Sequence, residues 1–463
     1  MLGNRDLSLG VGRLVGFNDA MIPATPGRVP TGVRIGYAVG SFCTANFAAI
    51  PGLLLLIYMT NVLAVDPLLA GVVVFLPKAW DLIANTLIGQ WSDRTVSRWG
   101  PRRPWMLAGT AVLPVSFAIM FIGPPLKGVP AAIFVGLVFL VAATGYALYE
   151  VPYKAMPAEM THDYHERTAL LQWRMVFIAI AIAMSGVLAP MLAGDTIEGY
   201  RLMGLVFAVI LLVSMIGSFF GTANAPFTGQ QDSEGSLRAQ LAAARESKPF
   251  LWLLGLCSAQ TLAAGVMLAG APYFAAYTVG DPKATTTLFA ALVGPMLITM
   301  PLWVWLARVL DKRGAMILSG LLFMSGAILA IASPLLGPIY AHLCIVVVGV
   351  GYAGLQLLQF SMLADVIAYD GQVSGKRRGG VFTGLWTAVE SAVAAFGATI
   401  YGAVLSIGGF LESDPANPVV QPDSAVTAVL IGLTVIPALI ILSGVLMTLK
   451  YDLSADKLAP AAT

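Results

Sequence analysis

Gly89-Gln-Trp-Ser-Asp93-Arg94-Thr-Val-Ser-Arg98-Trp-Gly100-Pro-Arg102-Arg103-Pro104 is a short charged turn set between two long apolar runs, 67–92 and 105–124. A segment that crosses a bilayer as a helix needs about 20 mostly apolar residues. Both flanking runs meet that length. The turn is polar, basic and closed by proline, as a loop at a membrane surface would be. It therefore reads as the hinge of a transmembrane hairpin, and the rest of the chain repeats the pattern.

Twelve apolar segments follow from the same criterion, at about 34–62, 67–92, 105–124, 130–156, 169–193, 201–222, 250–278, 285–309, 315–333, 337–368, 381–409 and 425–449. The runs are continuous rather than broken into alternating ten-residue strands, so helices are expected and not an outer-membrane barrel. Composition agrees. Of 463 residues, 58% are hydrophobic and only 11% charged, with a mean hydropathy of +0.83. Soluble domains carry roughly a quarter charged residues. A net charge of +2 with scattered basic residues argues against nucleic-acid binding. Cys43, Cys257 and Cys344 all lie in apolar runs and offer neither a disulfide framework nor a zinc motif. The first 33 residues, with Pro23, Pro26 and Pro30, lack the apolar core of a signal peptide, so the first span is expected to be an uncleaved anchor.

Lys and Arg distribution predicts the orientation. Loops after even-numbered spans hold fourteen of them: Arg94, Arg98, Arg102, Arg103, Arg167, Arg238, Arg245, Lys248, Arg308, Lys312, Arg313, Lys376, Arg377 and Arg378. The opposite loops hold Lys127, Arg201 and Lys283. The even-numbered loops and both termini are expected in the cytoplasm.

The 223–249 connection divides the chain six plus six, and its stretch from Ser236 reads as a surface helix. The expected organisation is a tail at 1–33, a six-helix bundle at 34–222, a linker at 223–249, a second bundle at 250–449 and a tail at 450–463. The halves echo each other. Asp93-Arg94 ends span two, and Asp311-Lys312-Arg313 ends span eight; Ala158-Glu159 and Ala364-Asp365 close spans four and ten. Paired bundles of this kind imply alternating access around a central site. Gly89, Asp93, Arg94, Arg98, Asp311 and Arg313 are candidate gating residues, since carboxylates at helix ends among arginines make contacts that can break and re-form.

Ionisable groups at membrane depth are costly and default to function. Lys78, Asp81 and Asn85 share one face of span two, and Tyr146, Glu150 and Lys154 one face of span four. Arg174 and Glu390 add charges in spans five and eleven. Asp81 and Glu150 are the acids able to bind Na⁺ or take a proton, with Val151-Pro152 expected to loosen the helix beside Glu150. The bland alternative is that these acids only neutralise Lys78, Lys154 and Arg174. His162 and His165 lack further ligands and make no metal site. Gly265, Gly270, Gly349 and Gly351 are read as packing positions.

The segment Trp80-Asp81 to Pro104-Trp105 resembles the signature of the glycoside-pentoside-hexuronide:cation symporters, a melibiose-carrier-like branch of the major facilitator superfamily. Tyr37-Ala-Val-Gly40, Tyr146-Ala-Leu-Tyr-Glu150-Val-Pro152-Tyr153 and Arg377-Arg-Gly-Gly380-Val-Phe-Thr-Gly384-Leu-Trp386-Thr-Ala-Val-Glu390 agree, in order, across both halves. The resemblance implies an all-α major facilitator fold and secondary transport of a sugar, glycoside or hexuronide coupled to Na⁺ or H⁺. It implies a cation site at Asp81, Asn85 and Glu150, and a substrate site at Tyr146, Glu150, Lys154, Arg174 and Trp386. It departs from melibiose carriers at Asn85, where they have a second acid, at Thr44 and Ala45, where they have lysine and an acid, at Lys154, where they have an aromatic, and at Ser391, where they have lysine. Uniport, and an organic or aromatic acid or amphipathic lipid as substrate, stay open as alternatives. No cofactor, resident metal, nucleic acid or obligate protein partner is expected, only substrate, coupling cation and bilayer. Nor is an enzyme expected, since no catalytic cluster and no phosphate-cradling loop is found. A bacterial inner membrane is the implied location.

Overall fold

The computed structural model describes residues 29–124, 126–161, 164–226, 245, 247–374, 379–416 and 418–453. Most of the linker, with the stretch from Ser236, lies outside them, as do His162 and Lys376 to Arg378. Twelve helices are long and apolar enough to cross a membrane. They are α1 Thr31–Asn61, α2 Pro67–Asp93, α3 Arg103–Ile122, α4 Gly128–Met160, α5 Tyr164–Ala193, α6 Ile197–Gly221, α7 Lys248–Val279, α8 Ala284–Val309, α9 Asp311–Leu336, α10 Pro338–Ser374, α11 Gly379–Ile407 and α12 Asp423–Thr448. The tenth span was expected to stop at 368 and continues to Ser374, because its last turns are polar yet still helical.

Local chemistry sets the helix ends. Pro67 fills the first turn of α2, where its missing N–H is harmless, and the Asp66 carboxylate accepts from Leu69 N at 3.0 Å. Thr196 caps α6 by accepting from Gly199 N at 3.1 Å. Gly280, at φ +81°, takes the left-handed turn that ends α7. Several spans depart from a regular α-helix: α9 has a 3-10 turn at Ala330–Ala332 and α12 is divided at Thr434. α1 has a π-turn at Pro51–Leu55, α7 ends in one at Phe274–Val279, and α11 is divided at Ala395. The loosening expected at Pro152 does not end the helix. α4 runs unbroken through both Pro152 and Pro157, packed on α2 and α3.

The helices form two six-helix bundles with matching internal contacts. α3 packs on α4 as α9 packs on α10, α3 on α6 as α9 on α12, and α1 on α6 as α7 on α12. Lipid provides no hydrophobic drive between helices, so close approach depends on small residues. A Cβ on Gly36 would lie 2.5 Å from Gly221 Cα, which fixes α1 against α6. Leu137, Val213, Phe220, Ile298 and Leu335 point outward and exposed, as a lipid-facing surface requires.

Between the bundles, contact is concentrated at the end carrying the odd-numbered loops. There Thr399 Oγ1 of α11 donates to Gly71 O of α2 at 3.0 Å, and Phe75 meets Phe396 at 4.7 Å between ring centres. A Cβ on Gly71 would press on the Thr399 backbone at 2.9 Å, so this seam needs glycine. No hydrogen bond or ion pair among the described residues joins the even-loop halves of the two bundles.

Candidate functional site

The central charges cluster on α4. Tyr146, Glu150 and Lys154 recur one turn apart and so stack on one face. Tyr146 Oη donates to Glu150 Oε1 at 2.6 Å, and Lys154 Nζ contacts the same oxygen at 2.6 Å. Glu150 is buried, whereas the Lys154 side chain is 45% exposed, so the ammonium faces open space. Tyr146 is held in turn by Phe47 of α1, at 4.6 Å between ring centres.

α2 stands beside this row. Trp80 Nε1 donates to Thr144 Oγ1 of α4 at 2.9 Å and fixes the register between the two helices. Asp81 Oδ1 and Asn85 Oδ1 are buried with no hydrogen-bond partner. Lys78, Glu150 and Lys154 are the charged groups that act electrostatically on Asp81. Two unclaimed buried oxygens next to a carboxylate form a donor set suited to a hard cation or a proton. No group of three His, Cys, Asp or Glu able to hold a metal occurs among the described residues.

Arg174 of α5 lies over the Tyr153 ring at 5.8 Å, with a buried, unpartnered Nε. Tyr153 Oη donates to Tyr37 O at 2.8 Å, lies 2.9 Å from Ser41 Oγ, and its ring stacks on Tyr37. Tyr153 thus links Arg174 to α1. Sequence reasoning gave this tyrosine little weight, because an aromatic in a membrane helix carries no local mark of its partner.

Across the cleft, Trp386 is buried against Phe360, and its Nε1 has no partner. Glu390 lies one turn further along α11, within electrostatic reach of Lys154. Three glutamines were missed from sequence. Gln260 Nε2 of α7 donates to Gln356 Oε1 of α10 at 2.6 Å, and Gln359 Nε2 donates to the same oxygen. Gln260 Oε1 and Gln359 Oε1 remain buried and unpartnered. The available signal was the pair Gln356 and Gln359, three apart within an otherwise apolar span.

The even-loop turns carry ion pairs within each bundle. Arg102 Nη1 meets Asp93 Oδ1 at 2.5 Å, Arg102 Nη2 meets Glu159 Oε1 at 2.5 Å, and its Nη1 donates to Ser92 Oγ at 2.7 Å. Burial works against the Arg102 charge, but its bonds to Glu159 and Asp93 outweigh that and raise its pKa. In the second bundle Lys312 Nζ meets Asp365 Oδ2 at 2.5 Å, and Arg313 donates to Leu449 O at 2.5 Å. Each bundle therefore has a tie from the start of its third helix to the acid late in its fourth, made by Arg102 in the first, outside the echoed Asp93-Arg94 pair, and by Lys312 in the second. Among the proposed gating residues, Arg94 has no hydrogen-bond or ion-pair partner among the described residues, and Arg98 lies over Trp99 at 4.8 Å rather than reaching another helix. Arg102 and Arg103 do reach other helices, the latter donating to Phe219 O at 2.8 Å. Gly89 is not demanded by packing, since a Cβ there would meet only Val151 at 3.8 Å. Asp311 opens α9 at φ +63°.

The solved structures most like this one include a bacterial homolog to the human lysosomal transporter Spinster, inward-facing and unoccupied. It has a TM-score of 0.67 at 15% identity, covering 92% of this chain and 98% of that one. A bacterial homologue of the iron transporter ferroportin, in an inward-facing state, gives 0.64 at 15% identity, covering 91% and 98%. Both likenesses are of fold. Among curated relatives, the inner membrane symporter YicJ of Escherichia coli is 25% identical, with 92% of each chain covered. The isoprimeverose transporter of Lactiplantibacillus pentosus is 23% identical over 83% of this chain and 82% of its own. The glucuronide carrier protein homolog of Escherichia coli is 22% identical over 83% and 85%. The family described as MFS/sugar transport protein matches residues 36–455. This multi-pass membrane protein is a transporter rather than an enzyme, and it belongs to the MFS/sugar transport family.

Proposed function

We propose that the chain is a symporter that moves a sugar, glycoside or hexuronide with Na⁺ or H⁺ by alternating access. The observation that carries this reading is the convergence of Tyr146 and Lys154 on one oxygen of Glu150, beside the unpartnered oxygens of Asp81 and Asn85. In that arrangement a cation arriving at Asp81, Asn85 and Glu150 competes with Lys154. Cation binding then frees the ammonium for substrate, and the two ligands become linked through one carboxylate. Tyr146, Lys154, Arg174 and Trp386 are assigned to substrate. The cationic surroundings formed by Lys154 and Arg174 favour a hexuronide within this class. The names of the isoprimeverose transporter and the glucuronide carrier homolog support a glycosidic or uronide substrate. The lysine and arginine asymmetry supports a cytoplasmic even-loop end with both termini inside, and the Escherichia coli relatives support a bacterial inner membrane.

Uptake into proteoliposomes tests the proposal. Labelled glycosides and glucuronides should accumulate when a Na⁺ or pH gradient is imposed. Equilibration that ignores both gradients would make the chain a uniporter. Absence of uptake for every sugar, glycoside and hexuronide would remove the substrate class.

A further inference from the structure

The odd-loop end carries a set of polar contacts between the bundles that the central site does not use. Thr60 is fully buried at the last turn of α1, and its hydroxyl lies 2.7 Å from Tyr273 Oη of α7. The carbonyl of the same Thr60 accepts from Ser413 N, in the loop after α11, at 2.9 Å. One residue on, Asn61 Nδ2 donates to Tyr277 Oη at 2.7 Å. Tyr273 and Tyr277 are four residues apart, flanking the start and middle of the π-turn at Phe274–Val279. Their rings stack at 6.5 Å, and Phe410 closes edge-on against both. Lys127 and Asp414 add an ion pair across the same rim.

These contacts join residues from opposite bundles, and α1 and α7 are equivalent helices of the two halves. We propose that Thr60 and Asn61, with Tyr273 and Tyr277, form a latch that holds the odd-loop end shut and must break for that end to open. The chemistry fits a reversible closure. The partners are neutral hydroxyls and an amide, so each bond has modest net strength and needs no ion to form. π-turns concentrate at functional sites in helices, and this one places both phenols toward α1. Burial of Thr60 and Tyr273 makes the contact selective, because opening must rehydrate both hydroxyls. The inference rests on the two-bundle fold, not on which substrate or cation is carried.

A reporter cysteine at Ala398, in the closed α2–α11 seam, tests it in the full-length chain after Cys43, Cys257 and Cys344 are replaced by serine. Thr60→Val and Tyr273→Phe should each raise the rate of maleimide labelling about fivefold, the change in equilibrium that one hydrogen bond of ordinary net strength makes. The double variant should gain no more than Thr60→Val alone, since Tyr273→Phe removes only the bond that Thr60→Val also removes, and Thr60→Val further removes the contact of the hydroxyl with Asn61 Oδ1. Asn61→Ala and Tyr277→Phe should behave as a second such pair. Unchanged labelling in all four, or gains that multiply within a pair, would overturn the latch. A second arm does not depend on these variants. A chain carrying Asn61→Cys and Tyr277→Cys, joined by a short bis-maleimide, should lose substrate counterflow. Counterflow at the unjoined rate would equally overturn the proposal.

Discussion

The two walls of the central cleft are built from different chemistry. The first bundle carries Lys78, Asp81, Glu150, Lys154 and Arg174, whereas the second carries Glu390 and a largely buried cluster of the amides Gln260, Gln356 and Gln359. A charged wall changes its bonding when a cation or proton arrives. The amides do not titrate, and Gln260 and Gln359 are buried, with unpartnered carbonyl oxygens inside their cluster. The difference separates a set of groups that a cation or proton can rearrange from one that, Glu390 apart, keeps its bonding at any pH, and on the proposed function each can be altered alone.

The same contrast appears in the paired ties at the even-loop end, and the largest expected effect lies there. Arg102 is nearly buried between Asp93 and Glu159, whereas Lys312 is 36% exposed beside Asp365. Arg102→Ala removes the buried cation that bridges Asp93 and Glu159, and about 3–5 kcal/mol of stability should be lost. Lys312→Ala breaks a half-exposed pair, and about 1 kcal/mol or less is expected. Thermal unfolding of the purified variants measures both, and equal losses would erase the asymmetry. Asp93→Ala should cripple transport while substrate binding stays measurable, because Arg102 keeps its second carboxylate.

Glu150→Gln comes next. It removes the charge that both Tyr146 and Lys154 contact. Hydrogen bonds to charged groups contribute about 1.5–3 kcal/mol, so cation-stimulated uptake should fall by about tenfold to a hundredfold. Uptake that keeps its cation dependence would shift coupling to Asp81 or out of this bundle. Arg174→Ala should weaken substrate affinity and spare the cation response.

Gln260→Leu sharpens the other side. Loss of one neutral hydrogen bond should lower substrate affinity about fivefold, with the cation response unchanged. A changed cation response would mean that the amide wall also takes part in coupling.

The smallest effect concerns the rim. Asp195, in the turn between α5 and α6, has its carboxyl pKa raised by burial and by the neighbouring Asp281 in the turn after α7, with Lys283 opposing. Asp281 belongs to the other bundle, so opening separates the two acids. The closed state then holds the Asp195 proton more tightly than the open one. Closure is therefore favoured as pH falls through the raised Asp195 range and loses that support as pH rises above it. Labelling of the Ala398→Cys reporter should be slower at low pH, and Asp195→Asn should remove the dependence.

Much of the fold was legible because its determinants are local. Span lengths follow from bilayer thickness, and the repeated Asp-basic turns mark the two halves. Spans two and five match closely, at 67–92 against Pro67–Asp93 and at 169–193 within Tyr164–Ala193. The Tyr146, Glu150 and Lys154 row was readable because helical spacing alone makes those side chains neighbours. At Pro152, where loosening was expected, the helix continues through the proline. Irregularities fall elsewhere, at Pro51–Leu55, Phe274–Val279, Ala330–Ala332, Ala395 and Thr434.

The sequence by itself determined a twelve-helix membrane transporter, its duplication and the charged helical faces, since each depends on composition or on residues a turn apart. Only the tertiary structure decided which arginine joins Asp93 to Glu159, which glutamines meet, and which end of the cleft is closed. Thr60 and Tyr273 are 213 residues apart, and Lys127 and Asp414 are 287 apart. No periodicity links such positions. Their pairing exists only where two independently folded bundles meet, and the geometry of that meeting is set by small residues such as Gly71 and Gly402, whose missing side chains let the backbones approach.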